Sequence, residues 1–147
     1  MSAALAEAKK AYKEQEVPIG AVIVYHNRVI ARAYNQVEAT YDPTAHAEIV
    51  ALRQASQALQ TPYLTECSLY VTLEPCAMCA QAIAFARIQQ LFFGAYDPKG
   101  GAVEHGPKLF SQPTCHHSPQ VVGGIEEETC KKLLRSFFAE LRLDKKI

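Results

Sequence analysis

The sequence predicts an α/β fold, a three-layer α/β/α arrangement with one mixed sheet of about five strands and helices on both faces. Three observations predict it. Short apolar runs of strand length alternate with longer segments of helical periodicity along the chain. The first two runs are separated only by His26-Asn27, the spacing of a hairpin. After that hairpin, strand and helix alternate, as crossover connections do in a sheet covered on both faces.

The elements follow in order. Residues 3–15 read as a helix, with Leu5, Ala8, Ala11 and Tyr12 at helical spacing and Ser2 as its cap. Val17-Pro18 breaks it. Ala21 to Tyr25 and Val29 to Ala33 form the hairpin strands. Asn35 to Ala45 reads as a polar connection ending in Asp42-Pro43-Thr44, with Thr44 as the cap of a helix from about His46 to Ala58. Ile49, Leu52 and Ala55 share one side of that helix. Ser68 to Leu73 is a third strand, and Pro75 opens a helix to about Ala86. Gln90 to Ala95 is a fourth strand. Residues 96–119 are a long loop with one helical turn near Lys108 to Ser111; loops of this length in small domains usually carry function. Val121-Val122 adds a short fifth strand. Glu126 to Leu141 is an amphipathic helix expected to bury Leu133, Leu134, Phe137, Phe138 and Leu141.

The 147 residues suit a single domain spanning 1–147. Lys plus Arg balances Asp plus Glu at 15 each, which argues against a general nucleic-acid coat but permits a local basic patch. No apolar run approaches the length of a membrane span, and the first residues lack a secretory pattern, so a cytoplasmic location is expected. Five cysteines, an odd number with only Cys76 and Cys79 closely spaced, do not form a secreted disulfide framework. Cys67 and Cys130 read as small buried hydrophobes.

Cys76 and Cys79 are three apart and share one face in the first turn of a helix, where free N–H groups and the helix dipole stabilise thiolates. Pro75 costs little at a first helical position. His46 offers a third ligand from another helix start. Three protein ligands and an open fourth position make a catalytic zinc site. Glu48, two residues from His46, then remains free to carry protons, since side chains at a helix start lean toward its N-terminus. Other readings stand beside this one. Cys-x-x-Cys also serves redox chemistry, or half of a structural zinc site completed by Cys115, His116 or His117. His-x-Glu alone also fits a solvated helix start.

His46-x-Glu48 together with Pro75-Cys76-x-x-Cys79 is the known signature of zinc nucleobase deaminases, an association that belongs to that family and not to the spacing. Four segments extend the likeness: Val17-Pro18-Ile19-Gly20-Ala21-Val22, Asp42 to Ile49, Leu69 to Ala80, and Gly94-Ala95-Tyr96-Asp97-Pro98-Lys99. In this order they resemble the bacterial tRNA-specific adenosine deaminases of the cytidine-deaminase superfamily. The resemblance runs from the first helix to about Phe138. It implies the cytidine-deaminase-like fold, one Zn²⁺ per subunit, a homodimer, and a tRNA anticodon stem-loop whose wobble adenosine becomes inosine. It also implies that Asn35 hydrogen-bonds the base and that Asp97 lies beside the sugar. Read without the family, Asn35 is a hairpin-end turn residue and Asp97 a turn former before Pro98. Lys99 and Lys108 are candidates for phosphate contacts. Residues 83–87, Ile-Ala-Phe-Ala-Arg, depart from the His-Ser pair that many members carry, and Phe137 to Arg142 is less basic than the usual ending. A free-base or nucleotide deaminase, and an interaction module built on structural zinc, are the rival readings.

Overall fold

A computed structural model of the chain describes residues 1–145; residues 146–147, the end of the expected domain, lie outside the described residues. The elements are α1 (Ser2–Lys13), β1 (Gly20–Tyr25), β2 (Arg28–Tyr34), α2 (Val37–Thr40), α3 (Ala47–Leu59), β3 (Cys67–Leu73), α4 (Ala77–Phe85), β4 (Gln90–Ala95), one 3₁₀ turn (Leu109–Ser111), β5 (Gln120–Val122) and α5 (Glu127–Asp144). The strands form one sheet in the order β2-β1-β3-β4-β5. The hairpin pairs antiparallel, as does β1 with β3, whereas β3-β4 and β4-β5 are parallel. The sheet is therefore mixed. His26 and Asn27 both take positive φ, 47° and 62°, the conformation that a two-residue hairpin turn requires.

Strand alternation divides the apolar residues between two faces. Ala21 and Ile23 of β1, Leu69 and Val71 of β3, and Leu91 and Phe93 of β4 pack with Ala47, Ala51, Leu52 and Ala55 of α3 and with Ala80 and Ile83 of α4. Phe93 is fully buried there, and its truncation to Ala costs about 3–5 kcal/mol. On the other face Leu5 of α1 and Cys130 of α5 meet Ala95. Gly20 allows α1 to lie on β1, because a Cβ there would collide with Ala4 O and Ala8 N.

The strands agree with the expected ones to within a residue at each end; several finer readings do not. Ser2 lies inside α1, whose N-cap is Met1. Thr44 is not the cap of α3. It bonds Asp42 Oδ1 through both its N–H and its hydroxyl, and His46 takes the cap position. Pro75 precedes the N-cap of α4, Cys76, rather than opening the helix. The polar connection contains α2. Of the five α5 side chains expected to be buried, only Phe137 is. Phe138 and Leu141 are 39% and 38% exposed. The packing explains this: α5 contacts β4 and α1, and Phe137 meets Tyr12 edge-on at 5.6 Å.

Candidate active site

The site forms where α3 and α4 begin. His46 is the N-cap of α3 and Cys76 the N-cap of α4; both have extended backbone, and neither side chain caps its own helix. Both turn outward instead and meet. His46 Nδ1 stands 3.6 Å from Cys76 Sγ and 3.5 Å from Cys79 Sγ. Because His46 lies just outside its helix and Glu48 is the second residue within it, the two side chains share one site despite a two-residue spacing that would diverge mid-helix.

Elementary geometry tests whether these residues suit a metal. Zinc–nitrogen and zinc–sulfur bonds of about 2.1 and 2.3 Å at a tetrahedral angle place nitrogen and sulfur about 3.6 Å apart. The two observed separations match. Among the described residues, His46, Cys76 and Cys79 are the one group of three such donors gathered together, all within 4.8 Å of one another. Cys115 and His117 are engaged elsewhere: Cys115 Sγ donates to His117 O at 3.1 Å, and His117 Nε2 donates to Ile88 O at 2.7 Å. His116 is exposed. No cysteine is in a disulfide, and Cys67 and Cys130 are buried as expected.

The electrostatics favour a cation. The Cys79 S–H bonded to Cys76 draws the Cys76 thiol down to about 4, and the same bond with burial pushes Cys79 well up. A cation held between the two sulfurs would take the place of a proton there. The bond to Cys76 raises His46 against the opposing effect of burial. Glu48 is 4% exposed, and burial pushes its carboxyl up to about 7. Its Oε1 is buried and has no hydrogen-bond partner. A buried carboxylate oxygen without a donor is costly in a purely structural role, and it suits an atom that must accept and release protons.

The structure also places the residues expected to bind substrate. Asn35 follows β2, is 5% exposed, and donates its N–H to Ile19 O at 3.0 Å. Asp97 follows β4 and closes a turn, its Oδ1 accepting from the N–H groups of Lys99 and Gly100 at 3.2 and 3.0 Å. Lys99 and Lys108 are exposed.

Besides Glu7 of α1, two buried carboxylates that the sequence does not single out hold loops next to candidate substrate residues. Glu16 is 1% exposed and accepts the N–H groups of Glu38 and Ala39 at 3.0 and 2.8 Å, holding the start of α2 beside Asn35. Glu74, 2% exposed, does the same for the loop that contains Asp97. The available signal was position: each charge stands next to a buried apolar run and a proline, where only a satisfied carboxylate is tolerated.

Comparison with known proteins places this geometry. A family model described as MafB19-like deaminase matches residues 1–142. The tRNA-specific adenosine deaminase of Agrobacterium fabrum is 56% identical over 144 residues, 98% of this chain and 95% of that protein. The chain belongs to the tRNA-specific adenosine deaminase family. The Bacillus subtilis tRNA-specific adenosine deaminase is 46% identical over 146 residues, covering 99% of this chain and 91% of the relative. A solved structure from a study of A-to-I editing by tRNA:A34 deaminases at the wobble position superposes with a TM-score of 0.90 at 55% identity, covering 91% of this chain and 97% of that one. The mixed five-stranded sheet is thus the cytidine-deaminase-like fold of this family. Its members are hydrolytic deaminases, and the His46, Cys76 and Cys79 cluster fits the metal centre such an enzyme needs.

Proposed function

We propose that this chain converts adenosine to inosine at the wobble position of a tRNA anticodon, with one zinc ion held by His46, Cys76 and Cys79 and with Glu48 moving protons. The observation that carries this reading is the unpartnered, buried Oε1 of Glu48 beside three clustered metal donors. A structural zinc site has no use for such an atom. The names and solved structure of the relatives support the substrate.

When bound, zinc supplies the positive charge that acidifies a water molecule. Glu48 takes the proton of that water and delivers it to N1 of the adenine as C6 is attacked. It then takes the remaining hydrogen of the oxygen added at C6 and passes it to the amino group, so that the C6–N bond breaks, ammonia leaves and the C6 carbonyl forms; the carboxyl acts in turn as base and as acid. Burial raises the Glu48 carboxyl above the ordinary carboxylate range, which favours the form that can donate a proton. The starts of α3 and α4 direct their positive ends at the ligand set, which favours the thiolates. Asn35 is assigned to the base and Asp97 to the sugar beside it. The target base must leave its stack to reach the metal, at little cost in a single-stranded loop. We assign the whole of residues 1–147 to one deaminase domain, acting in the cytoplasm as a homodimer. No helix among the described residues is long and apolar enough to cross a membrane.

The deciding experiment compares rates on an anticodon stem-loop, free adenosine, guanine and cytosine with one zinc-loaded preparation. Deamination of the stem-loop well above the three small molecules is expected. Efficient turnover of a small molecule with the RNA unchanged would assign the chain to free bases instead.

A further inference from the structure

Glu74 takes no part in the chemistry above, yet its side chain has no exposed surface. A carboxylate in that position must be satisfied by donors. Here every donor comes from one loop. Oε1 accepts the Asp97 N–H at 3.0 Å and the His105 Nδ1–H at 2.8 Å. Oε2 accepts the consecutive N–H groups of Val103, Glu104 and His105 at 3.1, 3.0 and 3.2 Å, a backbone nest closed on one oxygen. Gly101 presses against the same group, since a Cβ there would run into the Glu74 carboxyl carbon. The loop also returns to the ligand helix. Ala102 N–H donates to Pro75 O at 2.9 Å, and Pro75 lies between Glu74 and Cys76.

Both oxygens hold the far limb of the loop, Oε1 through the His105 ring, but only Oε1 reaches Asp97. Oε2 ties its far limb at 103–105. Oε1 ties Asp97, whose own carboxylate closes the turn over Lys99 and Gly100. One side chain, two residues before a metal donor, thereby sets where that turn stands. We infer that Glu74 is a positioning residue, whose carboxylate places the Asp97–Lys99 turn relative to Cys76 and so sets how the nucleotide chain beside the target base is gripped. It acts through Asp97 and touches no reacting atom. The part of this inference that concerns RNA rests on the function proposed above.

Glu74→Gln separates the two attachments. An amide has one accepting oxygen. Turned to keep the three amides of 103–105, it presents its NH₂ to the Asp97 N–H and to His105 Nδ1. His105 can answer by carrying its ring proton on Nε2, which leaves Nδ1 to accept. The Asp97 N–H has no such recourse. The variant therefore loosens the Asp97 end and leaves the far limb in place.

The test uses the full-length, zinc-loaded protein, wild type and Glu74→Gln, and reads zinc content, amide hydrogen exchange and kinetics on an anticodon stem-loop. The variant is expected to keep wild-type zinc content and the protection of amides 103–105. The Asp97 amide is expected to exchange about tenfold faster. KM for the stem-loop is expected to rise about tenfold, a loss of the size that freeing one buried amide produces, while kcat changes less than about threefold. Zinc loss with unchanged exchange at Asp97, or faster exchange with unchanged KM, would overturn the inference. A second measurement needs no variant. In the wild type, the amides of 97 and 103–105 are expected to exchange through one shared opening, since one side chain holds them all. Independent exchange would overturn the inference even if Glu74→Gln failed to fold. If the wild type leaves the stem-loop unchanged, the proposed substrate falls, and the exchange pattern still decides whether Glu74 places Asp97.

Discussion

The imidazole of His46 and the thiol of Cys76 meet at 3.6 Å although each is the N-cap of a different helix and 30 residues separate them. N-cap side chains ordinarily satisfy the free N–H groups of their own helix. Here both forgo that bond, and two positive helix ends converge on one point. The distance between the donors is then set by how α3 and α4 pack against each other and on the sheet. Ala47, Ala51, Ala80 and Ile83, all within one core cluster, fix that packing. The fold alone thus gathers three side chains that could hold a metal ion.

One zinc ion per chain is expected by elemental analysis. Cys76→Ser, Cys79→Ser and His46→Ala should each lose most of it, because two protein ligands hold zinc far more weakly than three. Cys115→Ser should keep the full complement. Retention of zinc in the Cys79 variant would disprove the ligand assignment.

Glu48→Gln should bind zinc normally and lose about 10²- to 10⁴-fold in kcat, the usual contribution of a positioned acid–base group. Its thermal midpoint should equal or exceed that of the wild type, since a buried carboxylate with an unpartnered oxygen becomes a neutral amide. Near-normal rates in this variant would remove Glu48 from the mechanism.

Glu74 makes stability depend on acidity. Burial alone would raise its carboxyl. The Asp97 N–H, the His105 side chain and the N–H groups of Glu104 and Val103 outweigh burial and hold it below the ordinary carboxylate range. A folded value below the unfolded one gives stability that is fully present above the unfolded value, about 4.3, and is lost as pH falls through the folded value. Near neutrality Glu74→Gln should be less stable by about 1–3 kcal/mol, the cost of an unpaired buried donor. The gap to the wild type should narrow in acid, and unfolding curves at pH 7 and pH 3 check the sign.

Association is expected through the surface around Phe85. This side chain is 72% exposed at the end of α4, beside a groove lined by Ile49, Leu52, Pro62 and Ala82. Exposed aromatic groups beside an apolar groove are typical of interfaces. Sedimentation of the wild type at micromolar concentration should give a dimer, and Phe85→Glu should shift it toward monomer. A dimer unaffected by that change would place the interface elsewhere.

Binding of the stem-loop should weaken as salt rises, because phosphate contacts release counterions. The chain carries no net charge, so only local cations such as Lys99 and Lys108 are available, and the slope should be shallow. Lys99→Ala and Lys108→Ala each remove about one counterion from the slope if that lysine meets a phosphate.

The sheet was legible because its strands are apolar runs bounded by turn signals, and the gathering of His46, Cys76 and Cys79 because all three stand where helices begin. Local chemistry suffices for both. What could not be read depends on distant partners. The helix α2 is too short to propagate on its own, and its first amides are held by Glu16, 22 residues away. Thr44 looked like a cap because Asp42, which instead turns back onto it, offers the same type of bond. Phe138 and Leu141 have the periodicity of buried residues, but periodicity does not report where the underlying layer ends. Glu74 reads as an ordinary charge until the loop that encloses it is seen.

Glu16 and Glu74 hold the start of α2 and the loop after β4 almost wholly through main-chain N–H groups. Every amino acid except proline carries that handle. Residues 38, 39 and 104, whose side chains are exposed, can therefore exchange them without releasing the segments they belong to. Selection, natural or in the laboratory, is free to rewrite these positions one at a time, while the scaffold around His46, Cys76 and Cys79 stays in register. Libraries that vary these three positions and omit proline should keep a high fraction of folded members.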